Sequence, residues 1–123
     1  MPNDEGVARD NGGQPEIRVI RGDYIATVMG YVDGIKAAKI PRTIEKSGIE
    51  YKVTSLRAGC FENCSSLTIV TIPETVTRLP ERCFYGCINL SSLTLPNTIK
   101  TIIGYECFKS VGTEAKPCKL YIT

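Results

Sequence analysis

The stretch Cys60-Phe61-Glu62-Asn63-Cys64-Ser65-Ser66-Leu67-Thr68-Ile69-Val70-Thr71-Ile72-Pro73 recurs 23 positions later as Cys83-Phe84-Tyr85-Gly86-Cys87-Ile88-Asn89-Leu90-Ser91-Ser92-Leu93-Thr94-Leu95-Pro96. Cys60, Phe61, Cys64, Leu67, Thr71, Pro73 and Thr75 return as the same residue, while Val70, Ile72, Val76 and Leu79 return as Leu93, Leu95, Ile99 and Ile102. Identity and volume are kept where a core would need them, and the residues between drift. A unit this short cannot bury its apolar side alone and must stack on its neighbours. The chain is thereby confined to a solenoid, in which a residue's surroundings follow from its phase in the period.

A kernel with apolar first, fourth and sixth positions, closed by proline, appears as Ile35-x-x-Ala38-x-Ile40-Pro41, Leu67-x-x-Val70-x-Ile72-Pro73 and Leu90-x-x-Leu93-x-Leu95-Pro96. A fourth copy, Pro117-x-x-Leu120-x-Ile122, lacks its first apolar residue. The last two kernel residues alternate with polar ones, so they point inward from a strand whose x positions face outward. Proline then ends the ladder, because it donates no hydrogen bond. The first two kernels lie 32 residues apart, and the surplus of 9 falls around Glu45–Lys52. This predicts a hairpin insertion turning at Ser47-Gly48. Cys107-Phe108 repeats Cys60-Phe61 after one inserted residue near Ile103-Gly104, which brings the total to about three and a half coils.

Residues 1–16 hold three glycines, two prolines, four acids and one base, with only Met1, Val7 and Ala8 apolar. Such a segment buries too little surface to offset its ordering entropy and reads as a disordered linker. From Ile17 to Gly34, short β-branched and aromatic runs alternate with Gly and Asp punctuation, which predicts a β-hairpin cap ahead of repeats spanning 35–123. Arg21-Gly22-Asp23 also spells a tripeptide that integrins recognise, but as three residues it is read as the hairpin turn. Asn63-Cys64-Ser65 and Asn89-Leu90-Ser91 fit the N-glycosylation pattern at unrelated phases, as chance would place them.

The absence of histidine removes the commonest general base and metal ligand together. No convergent acid pair, Gly-rich phosphate loop or nucleophile with a nearby base takes its place, so no catalytic, cofactor or metal site is expected. A net charge of +2 is too weak to draw nucleic acid by long-range attraction, and no apolar run reaches bilayer-spanning length. The linker carries four of the acids against one base, leaving 14 bases and 9 acids in the rest. The folded part is moderately basic, as a solvated surface rich in Lys would be.

The order Cys-Phe-x-x-Cys-x-x-Leu-x-x-Val-x-Ile-Pro-x-x-Val-x-x-Leu from Cys60 to Leu79, repeated from Cys83 to Ile102, resembles the BspA-type leucine-rich repeat. The lead-in from Ile40-Pro41 to Leu56 resembles the segment that precedes the first full repeats in such proteins, so the likeness covers residues 35–123. It implies a mostly β solenoid of the α/β leucine-rich-repeat type, a short right-handed coil with an N-terminal β-hairpin cap. Members are mostly surface or secreted proteins of gut and oral bacteria and of parasitic protozoa, and some are adhesins. The resemblance therefore implies a bacterial cell-surface or secreted location, with any signal segment outside this chain. It also implies a protein or glycan partner, host-derived ones included.

The six cysteines admit three roles. Cys60-x-x-x-Cys64 and Cys83-x-x-x-Cys87 have zinc-ligand spacing, but equal phase stacks them in columns, as small buried thiols of a core would be. An oxidising compartment, which the resemblance implies, makes disulfides the second reading. Cys118, at an x position of the last kernel, is expected to face outward and to be the reactive thiol.

The remaining regular surface is the outer face of the strand ladder. It carries Lys36, Ala37 and Lys39, then Thr68, Ile69 and Thr71, then Ser91, Ser92 and Thr94, and last Cys118, Lys119 and Tyr121. Binding is expected there, through Lys36, Lys39, Thr68, Ile69, Thr71, Ser91, Ser92, Thr94, Lys119 and Tyr121. The competing expectation is a structural or capping piece whose open last coil, at Leu120 and Ile122, associates with another copy or docks on further repeats.

Overall fold

The computed structural model describes residues 15–31, 34–102, 105–113 and 117–123. The expected linker therefore falls, but for Pro15 and Glu16, outside the described residues, as do Val32-Asp33 and the insertion at Ile103-Gly104. Among the described residues the elements are β1 (Glu16–Ile20), β2 (Ile25–Gly30), β3 (Ala37–Lys39), β4 (Thr43–Lys46), β5 (Ile49–Leu56), β6 (Ile69–Thr71), β7 (Arg78–Leu79), β8 (Ser92–Leu95), β9 (Thr101–Ile102) and β10 (Lys119–Ile122). One 3₁₀ turn, Tyr105–Phe108, is their sole helical piece. The molecule is the expected solenoid of about three turns.

The kernels become a parallel ladder ordered β10-β8-β6-β3. Ala38, Val70, Leu93 and Leu120 share one register, and Lys39, Thr71, Thr94 and Tyr121 the next. Period-two alternation sends Ala38, Val70 and Leu93 inward, followed by Ile40, Ile72 and Leu95 beside the strand-ending prolines, and these six are buried. On a second side β7 and β9 pair in parallel and bring Leu79 inward. Ile102 repeats Leu79 but is 49% exposed, with no further coil packed over it among the described residues.

The third side is made of turns rather than strands. Its backbone is nonetheless tied coil to coil, Phe61 N–H to the Cys83 carbonyl at 2.9 Å and Phe84 N–H to that of Cys107 at 3.0 Å. Equal phase makes a column of rings: Tyr31, Phe61, Phe84 and Phe108 lie 5.5, 5.5 and 5.8 Å apart between successive centroids. Asn63, Gly86 and Ser110 hold the same left-handed turn position, with φ of 60°, 78° and 61°. Asparagine tolerates that backbone, which gives Asn63 a conformational reason to be there.

The hairpin insertion forms as expected, with Lys46 opposite Ile49 across a two-residue turn. Ser47 and Gly48 both take positive φ, 55° and 79°, the geometry that matches strand twist in tight hairpins. At the solenoid's start, β1 pairs antiparallel with β2, and β2 runs parallel to β5, so the hairpin lays Ala26 and Val28 over the first coil. Among the described residues the other end has no such cover.

The insertion leaves a mark at Thr75. Its repeat partner Thr98 donates its hydroxyl to the Glu74 carbonyl of the previous coil at 2.9 Å. Before Thr75 the backbone has turned into the β4–β5 hairpin, and the Arg42 carbonyl accepts Val53 N–H at 2.8 Å. The Thr75 hydroxyl is buried with no hydrogen-bond partner among the described residues. A buried hydroxyl without a partner is destabilising, whereas a partnered one contributes. Thr75→Val is therefore expected to stabilise the fold by about 1 kcal/mol and Thr98→Val to weaken it by about 1 kcal/mol. Paired urea denaturation curves check both signs.

Candidate recognition surface

Along the outer face of the ladder, register sets the residues expected to bind into columns. Ala37, Ile69, Ser92 and Lys119 form one, and Lys39, Thr71, Thr94 and Tyr121 another. Ile69 and Tyr121 are 47% and 49% exposed, the face's two large apolar contacts. Lysines stand at both ends, Lys36 and Lys39 on the β3 side and Lys119 on β10.

Not every hydroxyl of the face is available to a ligand. Thr68 donates through Oγ1 to the Lys36 carbonyl at 2.9 Å, and Ser91 through Oγ to that of Thr68 at 3.1 Å. These two stitch one coil to the previous one. Asn89 does the same, Nδ2 to the Ser65 carbonyl at 2.7 Å, so the second glycosylation match is a bridging residue. Two shallow clefts border the ladder. One, of about 440 Å³, brings Lys39, Thr71 and Thr94 together with Arg42, Glu74 and Thr123. The other, of about 560 Å³, joins Lys36, Thr68 and Ser91 to Ser65, Ser66 and Asn89. Ile69, Ser92, Lys119 and Tyr121 line neither.

Cys118 requires a correction. It is half-buried and packs against the core, beside Leu93, Phe108 and Leu120. Burial raises its thiol pKa, the opposite of an activated thiol. Cys118 stands just before β10, outside the alternating part of the strand, so its x position did not set its direction. Cys60, Cys83, Cys87 and Cys107 are buried core thiols, as the columns predict. Desolvation pushes Cys60 and Cys87 up to about 12, and Cys87 donates its Sγ–H to the Phe61 carbonyl at 3.0 Å.

The aromatic side carries an ion cluster that the repeat comparison missed. Arg82, with φ of 58°, repeats the phase of Gly59 and reaches both ways along the solenoid. Its Nη2 meets Glu62 Oε2 at 2.7 Å, its Nη1 meets Glu106 Oε1 at 2.5 Å, and its guanidinium lies 3.9 Å from the Tyr85 ring centroid. Two signals in the sequence pointed to it: an arginine in a position suited to glycine, and Glu106 at the phase of Arg82 one coil on, each just before the repeated Cys-Phe.

The hydrogen bond from Arg82 holds the Glu62 carboxyl below its ordinary 4.5. A depressed folded-state pKa contributes stability above the unfolded value, which is lost as the pH falls through it. Arg82→Ala is expected to lower the melting temperature at neutral pH and to flatten the acid-side fall below about 4.5, checked by melts at several pH values. For the core thiols, an aromatic disulfide reagent is expected to leave Cys60, Cys83, Cys87 and Cys107 unmodified until the protein is unfolded. Peptide mapping before and after unfolding reads this directly.

The family model for the BspA type leucine-rich repeat region matches residues 39–115, in six copies. Among curated proteins, none matches the sequence. Three solved structures share the fold. The leucine-rich repeat protein of T. pallidum is 20% identical with a TM-score of 0.66, over 83% of this chain and 45% of its own. A leucine-rich repeat protein from Bacteroides ovatus is 21% identical with a TM-score of 0.59, over 89% of this chain and 36% of its own. One from Bacteroides capillosus is 20% identical with a TM-score of 0.61, over 94% of this chain and 99% of its own. The chain thus spans less than half the length of the first two. With the Cys-Phe columns, the proline-closed kernels and a family match over most of its length, the chain belongs to the BspA-type leucine-rich repeat family.

Proposed function

We propose that the chain is a non-enzymatic recognition module, working at the bacterial surface or after secretion, that binds a protein or glycan through the outer face of the β3-β6-β8-β10 ladder. Repeat solenoids of this family are interaction modules, and regular strand faces are what they offer a partner. The observation that carries the reading is the placement of Ile69 and Tyr121, both about half exposed, on a rigid face otherwise made of hydroxyls and lysines. Apolar or aromatic anchors within a polar rim are the usual distribution of binding energy at an interface. The cleft at Lys39, Thr71 and Thr94 places a cation and two hydroxyls beside that face, suited to the carbonyls and hydroxyls of a peptide or sugar. Arg42 at its edge is already paired with Glu74 at 2.6 Å.

The test is a binding screen on immobilised matrix glycoproteins and a glycan array. A ligand found there is expected to bind the double variant Lys39→Glu, Ile69→Thr at least about tenfold more weakly, equivalent to about 1.4 kcal/mol. Threonine keeps the branched side chain a strand prefers, so the melting temperature should be unchanged. Binding that survives both changes would remove this face from consideration.

A further inference from the structure

The loop that joins β1 to β2 places its residues against the usual preferences of a turn. Ile20 pairs with Ile25, so residues 21–24, Arg-Gly-Asp-Tyr, make the whole connection. The Ile20 carbonyl accepts from Asp23 N–H at 3.3 Å and from Tyr24 N–H at 3.0 Å, a single helical-type turn that Tyr24 closes in the left-handed region at φ 57°. That closing position is where glycine or asparagine would serve folding best. The glycine stands instead at Gly22, whose φ lies outside the left-handed region and where an added Cβ would meet nothing within 4 Å. In the β4–β5 hairpin, by contrast, Gly48 sits at φ 79° and serves its turn. Gly22 serves none, and it adds unfolded-state entropy that alanine would not.

What the fold does secure is the base of the loop. The Tyr24 ring packs on that of buried Tyr51 at 6.4 Å between centroids, and the Tyr24 carbonyl accepts Lys52 N–H at 2.9 Å. Above this anchor Arg21, Gly22 and Asp23 are all exposed. The side chains of Arg21 and Asp23 make no ion pair or hydrogen bond with any described residue. They do not pair with each other either, because residues two apart on a helical-type turn point to different sides. The tip therefore holds a guanidinium and a carboxylate apart, with no side chain between them, on a base that is already ordered. Order of that kind lowers the cost of binding.

We propose that this tip is a second recognition site, taken by a host receptor of the integrin type. Such a receptor carries a divalent cation that accepts a carboxylate oxygen and acidic side chains that accept a guanidinium. Asp23 supplies the first group and Arg21 the second, while Gly22 lets the receptor surface approach the backbone between them. Close approach accounts for a glycine that the turn does not require; a merely solvated turn would fold as well with alanine there. The tip belongs to the β1-β2-β5-β4 sheet and not to the β10-β8-β6-β3 ladder. It shares with the ladder-face reading only the location outside the cell, so either site can fail without the other.

The test is surface plasmon resonance of the whole chain over an immobilised vitronectin-receptor integrin ectodomain in Mn²⁺ buffer. Saturable binding is expected, abolished by EDTA and competed by a cyclic Arg-Gly-Asp peptide. Asp23→Glu keeps the charge but moves the carboxylate outward, and is expected to weaken binding at least about tenfold. Gly22→Ala should weaken it as much while leaving the melting temperature unchanged or slightly raised, because nothing in the fold needs that glycine. The ladder variant Lys39→Glu, Ile69→Thr should bind the integrin as the unaltered chain does. Absence of saturable binding overturns the proposal, as does binding that survives EDTA or Asp23→Glu, or that the ladder variant loses. A Gly22→Ala protein that binds undiminished, or that melts lower, removes the argument from the glycine and overturns it too.

Discussion

Every part of this molecule depends on the hydrogen bonds from one coil to the equivalent stretch of the next. The bonding runs around the circumference: in the ladder, from Ile72 N–H to the Thr94 carbonyl at 2.9 Å; on the second side, from Lys100 to Thr77 at 2.7 Å; in the turns, from Gly86 to Lys109 at 3.0 Å. Backbone groups that would otherwise be buried without partners are satisfied even where no strand exists. Because these bonds hold the coils in register with equal phases stacked, a side chain must fit its own copy above and below. A flat ring can do so, hence the phenylalanine stack; so can a small thiol, hence Cys60, Cys83 and Cys107 within one core.

Stacking of this kind is directional and leaves two ends with different problems. The first coil has the β1–β2 hairpin to occupy its face, and Tyr31 extends the ring column one member past the repeats. That extension is imperfect, since the Tyr31 hydroxyl is buried with no hydrogen-bond partner among the described residues and burial drives its ionisation far upward. The last described coil repeats the inward pattern without another coil packed on it among the described residues, so Ile102, Leu120 and Ile122 sit in core phase yet half exposed. Their exposure is a consequence of position along the axis, not of sequence phase.

This separates what could be read in the sequence from what could not. The kernels, the turn at Ser47-Gly48 and the cysteine columns were legible, because a 23-residue offset plus strand alternation determines which side chains face inward. Cys118 was not, since it precedes β10 and its side chain is placed by packing beside Leu93, Phe108 and Leu120 rather than by its kernel position. Tyr31 lies ahead of the repeats, so no offset pointed to it. In the Glu62-Arg82-Glu106 cluster, Arg82 and Glu106 share the position before the repeated Cys, and that half of the cluster was legible; Glu62 lies three positions further along its own coil than the phase of Arg82, so its part became visible only with the backbone in place. For the candidate face, membership was legible from alternation, but which hydroxyls were already spent was not. The donations from Thr68 and Ser91 to the preceding coil became visible only with the backbone in place.

Those donations also limit how recognition on this face can work. Thr68 and Ser91 share a phase, and each stabilises the stack, so a ligand competing for them would act against the coil contacts that position the face. Selectivity must therefore come from residues whose side chains hold nothing else in place. Ile69 is one and Tyr121 another, and they stand two strands apart on the ladder, roughly 10 Å at ordinary strand spacing. Such a separation suits an extended segment laid across the strands better than a compact ligand seated on one. A solenoid with this repeat can thus change partners by changing single x-position residues, since the phases that hold the coils together are already assigned elsewhere.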